Sequence, residues 1–322
     1  MPLPGTGRAL ACAMRKVLAG ALLVCGMFSS VADGNQQVTA TPGSKDNPKD
    51  NGAPRVALHE NRGSELDLAV AGDLPGVPRG SIRYVSREEL LKLPQVTYLV
   101  SDDANFKSAV EISGVLLEEL SSALGTSPAS TFLVAVCADQ YHGNFPSEYV
   151  REHHPVLVLR INGQPPKGWP KNAEAAGAFM GPYLISHAKF TPSFRVFAHQ
   201  DEAQIPWGVE RLEFRDERKT LAAIAPRGLH AGDANVQAGY RIAQQNCFRC
   251  HNMGEDGGRQ SGQPWLVLAA WAAASPEHFA SYVRNPQANN PNSQMAASPK
   301  YDDVTMKALT DYFSTFIAAG KP

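Results

Sequence analysis

Two cysteines and a histidine lie within five consecutive residues towards the end of this 322-residue chain. The run CFRCH at residues 247–251 has the C-x-x-C-H spacing that attaches c-type haem. Thiols three positions apart can add to the two vinyl groups of a porphyrin, and the next residue places an imidazole at the iron. The spacing therefore predicts one covalently bound haem c. We expect Cys247 and Cys250 to hold it and His251 to be the proximal iron ligand.

The same two thiols could also form half of a zinc site or a redox-active dithiol. A structural zinc site takes four ligands, and the sequence has no second Cys/His pair at suitable spacing. A thioredoxin-like dithiol belongs to an α/β unit. Residues 234–322 have an apolar pattern of helical period and almost no strand signal. Both alternatives therefore fit the pattern less well than haem attachment does.

Two helices are predicted on either side of the haem motif. The first covers residues 234–245 behind the candidate N-cap Asp233. The second is predicted near the carboxy terminus, where Asp302 and Asp303 suit a helix N-terminus. Its apolar stripe contains Met306, Leu309, Tyr312, Phe313 and Phe316.

With this motif and these helices, residues 234–318 resemble a class I cytochrome c, a mono-haem all-α domain. The resemblance implies that the first and last helices cross at Gly239, eight residues before Cys247. It also implies that the carbonyl of Pro264 accepts the ring proton of His251. Such a hydrogen bond fixes the ring and strengthens the iron ligand.

Met295 is the expected sixth ligand of the iron. It lies in the Asn- and Pro-rich stretch 285–298, which resembles the methionine loop of the family, with Ala296 where the family usually has proline. His278 is the alternative ligand, whereas Met306 belongs to the apolar stripe and is expected in the core. A Met/His pair raises the reduction potential relative to bis-His ligation. A filled sixth position also favours electron transfer over substrate binding or sensing.

Strand-like runs dominate the middle of the chain. Residues 97–101, 131–136 and 156–161 are rich in β-branched and aromatic residues and predict buried strands. Residues 113–123 carry apolar residues at helical spacing up to Gly125 and predict a helix. The sequence therefore predicts an α+β fold, with a β-rich domain followed by an all-α domain.

Four short stretches of this middle region resemble the sulfite oxidase-like molybdopterin-binding domain. They are VEISGVLLEELSSALG at 110–125, FLVAVCADQYHGNFP at 132–146, INGQPP at 161–166 and GPYLIS at 181–186. The resemblance covers roughly residues 80–214 and bears on the fold more than on the activity.

Molybdenum is not expected in this domain. Catalytic members of the family supply a cysteine thiolate before the helix signature, and residues 98–106 contain no cysteine. Cys137 lies in a later element and is expected to be a buried packing thiol. Residues 152–154 (Glu-His-His) could hold a metal, but an exposed polar turn is the simpler interpretation. Asp102 and Asp103 are likewise expected in solvent.

The amino terminus has the pattern of a secretory signal. Basic residues precede a short apolar stretch at 17–28, and Ser30 and Ala32 suit a cleavage site. A retained anchor or a lipid on Cys25 is the weaker alternative, because a membrane span needs about 20 apolar residues. The mature protein is therefore expected in the periplasm or another exported location, with no integral membrane segment.

Composition and linkers complete the predicted organisation. The chain carries 30 basic and 31 acidic residues. It has no dense run of basic residues of the kind that indicates nucleic-acid binding. Removing residues 1–32 takes away three basic residues and no acidic one, which favours basic docking partners. The predicted segments are a signal peptide at 1–32, a flexible polar tether at 33–74, the sulfite oxidase-like domain at 75–220, a linker at 221–233 and the cytochrome c domain at 234–322.

These observations predict an exported one-electron carrier that works with a redox partner protein. The middle domain would then serve as a docking or scaffold module, with no catalytic residue of its own. The alternative is a molybdopterin-dependent oxidoreductase of sulfite oxidase type whose fused cytochrome c accepts the electrons. A haem-based sensor is a third hypothesis, and it would need an open sixth position on the iron.

Overall fold

Strands between Leu68 and Arg215 form one mixed sheet of nine strands in the computed structural model. The structure describes residues 55–173, 175, 177–189, 199 and 201–318. The strands are β1 Leu68–Gly72, β2 Ile82–Val85, β3 Val96–Val100, β4 Val110–Leu116, β5 Phe132–Cys137, β6 His142–Pro146, β7 Val156–Ile161, β8 Tyr183–Ser186 and β9 Trp207–Arg215.

Four short α-helices and one 3₁₀ helix, Pro166–Gly168, lie among or just after the strands, and five more α-helices follow them in the described part of the chain. The first four are α1 Arg87–Lys92, α2 Leu117–Ala123, α3 Ser147–His153 and α4 Glu217–Ala222. The others are α5 Ala234–Asn246, α6 Trp265–Ala274, α7 Pro276–Arg284, α8 Pro286–Asn289 and α9 Asp303–Ala318. The predicted α+β class is confirmed for the described residues. After β9, the described part of the chain forms helices and no further strand.

The long strand β9 organises the sheet. Along one edge it pairs antiparallel with β5, and along the other it pairs first with β8 and then, in parallel, with β1. The main path runs β2-β1-β9-β8-β7-β4-β3, and β6 extends the sheet beyond β5 as a hairpin partner. The β5–β6 hairpin therefore lies at a margin of the sheet, where its outer face can be covered by another part of the chain.

Strand β5 is buried on both faces. Leu133, Ala135 and Cys137 point into a core formed by the sheet and its short helices, here called the sheet core. Phe132 and its alternate neighbours point the other way, because side chains alternate along a strand. This second cluster, here called the shared core, combines strand and helix residues, including Phe132, Val134, Val136, Leu221, Ile224, Val236, Ile242, Phe248, Trp265, Tyr312 and Phe313.

The predicted helix at residues 113–123 is wrong in its first part. Strand β4 continues to Leu116, and helix α2 occupies only Leu117–Ala123. The strand has an irregularity in register between Ser113 and Gly114, where it pairs with β7. A Cβ atom at Gly114 would lie 2.0 Å from the carbonyl oxygen of Leu157. The apolar spacing suits a helix, but pairing with β7 determines the conformation.

Two segments predicted to be a flexible tether and a linker are part of the fold. Strand β1, at Leu68–Gly72, lies inside the predicted tether 33–74, where its short apolar run is flanked by polar residues. Within the predicted linker 221–233, Leu221 and Ile224 are buried in the shared core.

The predicted signal segment lies outside the described residues. Among those that are described, no helix combines the length and apolarity that crossing a bilayer requires.

Candidate functional site

The C-x-x-C-H motif forms a turn at the end of helix α5. The helix ends at Asn246, and Cys247 occupies its C-cap position, with its N–H donating to the Ala243 carbonyl at 2.9 Å. The N–H of His251 then donates to the Cys247 carbonyl at 3.0 Å. Both thiols are free and partly exposed. One turn of chain thus brings the three predicted haem-binding side chains together.

One ring nitrogen of His251, Nδ1, forms a hydrogen bond that orients the ring. Its Nδ1–H donates to the carbonyl oxygen of Gln263 at 2.6 Å, and the ring is buried. Burial lowers the pKa of His251, which favours the neutral ring that a metal ligand needs. With the proton on Nδ1, Nε2 carries a lone pair that can coordinate a metal ion.

The carbonyl acceptor differs from the one implied by the resemblance. Pro264 is the expected acceptor, but Gln263, one residue earlier, takes the role. Pro264 instead occupies the N-cap of α6, and its carbonyl accepts the N–H of Val267 at 2.9 Å. A carbonyl bound into the first helical turn points along the helix, which is why the preceding residue faces the histidine.

Helices α5 and α9 cross at Gly239, as the resemblance implies. A Cβ atom at Gly239 would lie 2.0 Å from the carbonyl oxygen of Ala308 and 2.9 Å from Cβ of Tyr312. Next to the crossing, the rings of Tyr240 and Tyr312 stack at 5.5 Å between centroids. Only glycine allows the two backbones to approach this closely.

Aromatic side chains anchor the motif from within the shared core. Phe248 is buried and meets Trp265 edge-on, with 5.6 Å between ring centroids. Trp265 also packs on Phe313 at 5.0 Å. The expected apolar stripe of α9 is confirmed, because all five of its residues are buried. The motif is therefore fixed to the core through Phe248, the first of the two residues between its cysteines.

The predicted sixth ligand and its competitors occupy different environments. Met295 lies in the loop before α9 and packs partly buried against the shared core. Its carbonyl accepts Nε2–H of Gln287 at 2.8 Å. Met306 is buried in α9, as predicted for a core residue. His278 is exposed on α7, with its ring against Trp271 and Tyr282.

The β5–β6 hairpin contacts the motif directly through its backbone. The N–H of His142 donates to the Arg249 carbonyl at 2.8 Å, and the N–H of Arg259 donates to the Gln140 carbonyl at 2.9 Å. Sequence reasoning did not find this junction, because no local pattern joins residues more than one hundred positions apart.

Side chains extend the same junction. Gln260 donates from Nε2 to Asp139 Oδ2 at 2.5 Å and accepts from the Cys250 thiol through Oε1 at 3.0 Å. Gln204 donates from Nε2 to Oε1 of Gln245 at 2.9 Å, which links the chain before β9 to helix α5. The sheet thus holds the C-x-x-C-H turn by hydrogen bonds as well as through the shared core.

The segment expected to lack a molybdenum ligand contains a buried carboxyl. Asp103 accepts from the Ser186 hydroxyl at 2.6 Å and from the Asn105 N–H at 2.8 Å, and burial raises its pKa. The expectation that Asp103 is solvated is therefore wrong, whereas Asp102 is exposed. Cys137 is buried in the sheet core as predicted, and burial raises the pKa of its thiol well above the usual value.

The expected polar turn at residues 152–154 is exposed only in part. His154 is exposed and hydrogen-bonds Glu118 at 2.8 Å, but the His153 side chain is buried against Asp201 at 3.0 Å. Asp201 is 48 residues away, so spacing along the chain does not indicate this pair.

Comparisons with known proteins add little to this geometry. No family model matches the sequence, and no curated protein matches it. Among solved structures, the chain is similar to a crystal structure of the sulfane dehydrogenase SoxCD from Paracoccus pantotrophus, with 19% sequence identity and a TM-score of 0.33. The match covers 49% of this chain and 40% of that chain, so it spans less than half of either one.

Proposed function

We propose that this protein is an exported c-type cytochrome that carries one electron at a time. The observation that carries the proposal is the turn at 247–251, where two thiols and a histidine share one turn and His251 has its Nδ1 bound to the Gln263 carbonyl. This donor set suits haem c, because Nε2 remains as the iron ligand. The crossing at Gly239 and the aromatic packing around Phe248 support an all-α cytochrome c domain.

Each residue of the site has a distinct role in this proposal. Cys247 and Cys250 would form the thioether bonds, His251 the proximal bond through Nε2, and Met295 the distal bond through its sulfur. The Gln263 carbonyl holds the histidine ring in place. When bound, haem c supplies a ferric–ferrous couple that accepts or gives one electron. Packing of Phe248 against Trp265 would hold the attachment turn in place.

The sheet would act as a scaffold for the attachment turn. Its β5–β6 hairpin binds the Arg249 carbonyl and the Arg259 N–H, and β5 contributes three side chains to the shared core. A basic redox partner would then dock on the mildly acidic mature protein. Export depends on the amino-terminal pattern, and the donor and acceptor would be other redox proteins of the same compartment.

The alternative, a molybdopterin-dependent oxidoreductase, fits the described residues poorly. Residues 98–106 offer no thiol, and the Cys137 thiol lies within the sheet core. We therefore derive no molybdenum chemistry from this site.

A reduced-minus-oxidised spectrum with metal analysis on periplasmic protein tests the proposal. We expect a c-type haem spectrum, one iron per chain and no molybdenum. A methionine-to-iron band at the red end of the ferric spectrum should be present in wild type and absent in Met295→Ala. His278→Ala is the matched control and should keep the band. Ready carbon monoxide binding would favour a sensor, and stoichiometric molybdenum would favour the enzyme.

A further inference from the structure

A second group of metal-ligating side chains lies at the end of helix α3, separate from the haem motif. Glu152 and His153 are the last two residues of that helix, and Asp201 approaches from a distant part of the chain. One ligand atom from each residue, a carboxylate oxygen or an imidazole nitrogen, lies within 4.8 Å of the other two. His153 and Asp201 are buried, whereas Glu152 is exposed.

We propose that Glu152, His153 and Asp201 bind one divalent transition-metal ion, with zinc as the best match. Ligand bonds to zinc are about 2.0–2.2 Å long, so neighbouring ligand atoms of a tetrahedral site lie roughly 3.3–3.6 Å apart. His153 Nε2 and Asp201 Oδ1 are 3.0 Å apart, so they need to separate only slightly to reach that spacing. The metal would take the place of the proton that these two atoms now share. The Glu152 carboxylate, whose ligand atom lies within 4.8 Å of the other two, would move closer to them.

The charge and ligand types favour this class of ion. Two carboxylates and one neutral imidazole balance a charge of +2. An imidazole ligand suits zinc and its neighbours in the periodic table, whereas Ca²⁺ and Mg²⁺ prefer oxygen ligands alone. Water would complete the coordination, because three protein ligands leave a position open on zinc.

The surroundings fix the histidine and leave a route for the ion. The ring of His153 packs at 4.6 Å from Tyr149 and 6.4 Å from His187, measured between ring centroids. Tyr149 and His187 are themselves joined by a hydrogen bond of 2.9 Å between the hydroxyl and Nε2. These contacts hold the His153 ring in one orientation, so less freedom is lost when the ring binds an ion. The exposed carboxylate of Glu152 gives the ion access from solvent.

Zinc titration of the full-length haem-loaded protein tests the site. The protein is stripped with a chelator, titrated with zinc alone by calorimetry, and analysed for retained zinc after desalting. We expect one zinc per chain in wild type. Glu152→Gln should weaken binding at least about tenfold, and Asp201→Asn should abolish retention, because each removes one of three ligands. His154→Ala is the matched control and should bind as wild type does, since His154 pairs with Glu118 instead.

The Glu152 variant decides whether these three residues bind zinc. The thermal unfolding midpoint of Glu152→Gln is measured alongside its zinc affinity, so that a loss of binding is distinguished from a loss of folding even if Asp201→Asn folds poorly. Failure of wild type to retain zinc would overturn the proposal, and so would equal affinity in wild type and Glu152→Gln. Loss of affinity in His154→Ala alone would also overturn it. Iron content and the haem spectrum are measured separately, so failure here leaves the proposed electron transfer standing.

Discussion

The sheet region and the helical region bury their apolar side chains in different ways. The sheet core is formed within residues 56–214, from strands and the short helices packed on them. The shared core of the helical region includes Phe132, Val134 and Val136, which belong to strand β5. The two regions are therefore unequal: the helices complete their core with a strand of the sheet, whereas the sheet core contains no residue of the helices that follow it.

The largest effect is expected where the helices approach most closely. Gly239→Val would place side-chain atoms inside the Ala308 carbonyl, so the α5–α9 crossing cannot form. We expect a loss of more than about 4 kcal/mol and unfolding of the helical region, with the sheet retained. Hydrogen–deuterium exchange by mass spectrometry resolves the two regions. Gly262→Ala is the control, because no atom lies within 4 Å of the added Cβ. Retained protection of α5 and α9 in Gly239→Val would show that the helix crossing does not require glycine at this position.

Two neighbouring residues on opposite faces of β5 test whether the helical region depends on the sheet while the sheet does not depend on the helices. Phe132→Ala removes a shared-core side chain and should cost about 3–5 kcal/mol, with faster exchange in α5 and α9 and a protected sheet. Leu133→Ala removes a sheet-core side chain and should cost about 2–5 kcal/mol, with faster exchange in both regions. If Leu133→Ala leaves the helices fully protected, the helical region does not depend on the sheet.

Local pattern predicts much of this molecule, and long-range contact determines the rest. The turn at 247–251 and the apolar stripe of α9 follow from spacing along the chain, so the sequence locates them. Residues 113–116 have helical spacing, yet β7 pairs with them as a strand. Burial of Asp103 and the approach of Asp201 to His153 depend on residues far along the chain. Nothing in their immediate sequence indicates either one.

The protein should become less stable in mild acid because of His142, which lies at the junction between the sheet and the helices. His142 is buried in β6, and burial, together with the nearby Arg215, lowers its pKa from 6.5 to about 4. The folded state keeps the ring neutral, whereas the unfolded chain takes up a proton below about pH 6.5. The free energy of unfolding should therefore fall as the pH drops from about 6.5 to 4, by up to about 3 kcal/mol from this group.

His142→Gln is the matched variant for that prediction. Other groups also titrate in this window, so the useful quantity is the difference between wild type and His142→Gln in denaturant unfolding at several pH values. The variant should lose less stability than wild type between pH 6.5 and 4. Parallel pH profiles for the two proteins would show that His142 does not titrate as its burial implies.

The smallest effect is expected at the ion pair that joins β9 to the loop after the motif. Arg215 and Asp256 lie 3.1 Å apart and are both partly exposed to solvent. Asp256→Asn should cost less than about 1 kcal/mol, since water screens such pairs. Glu255→Gln is the control, because the Glu255–Arg259 pair lies more in solvent and should contribute even less. A loss of several kcal/mol in the unfolding free energy of Asp256→Asn would mean that the junction relies on charge more than on packing.

We propose that the turn at the end of α5 carries a covalent haem. Intact-mass spectrometry of the chain under denaturing conditions tests this directly, using protein made in a host that attaches haem c. One haem should stay with the wild-type chain, and none should stay with the Cys247→Ser/Cys250→Ser variant. A wild-type chain of unmodified mass, with both thiols free to react, would show that the turn attaches no haem.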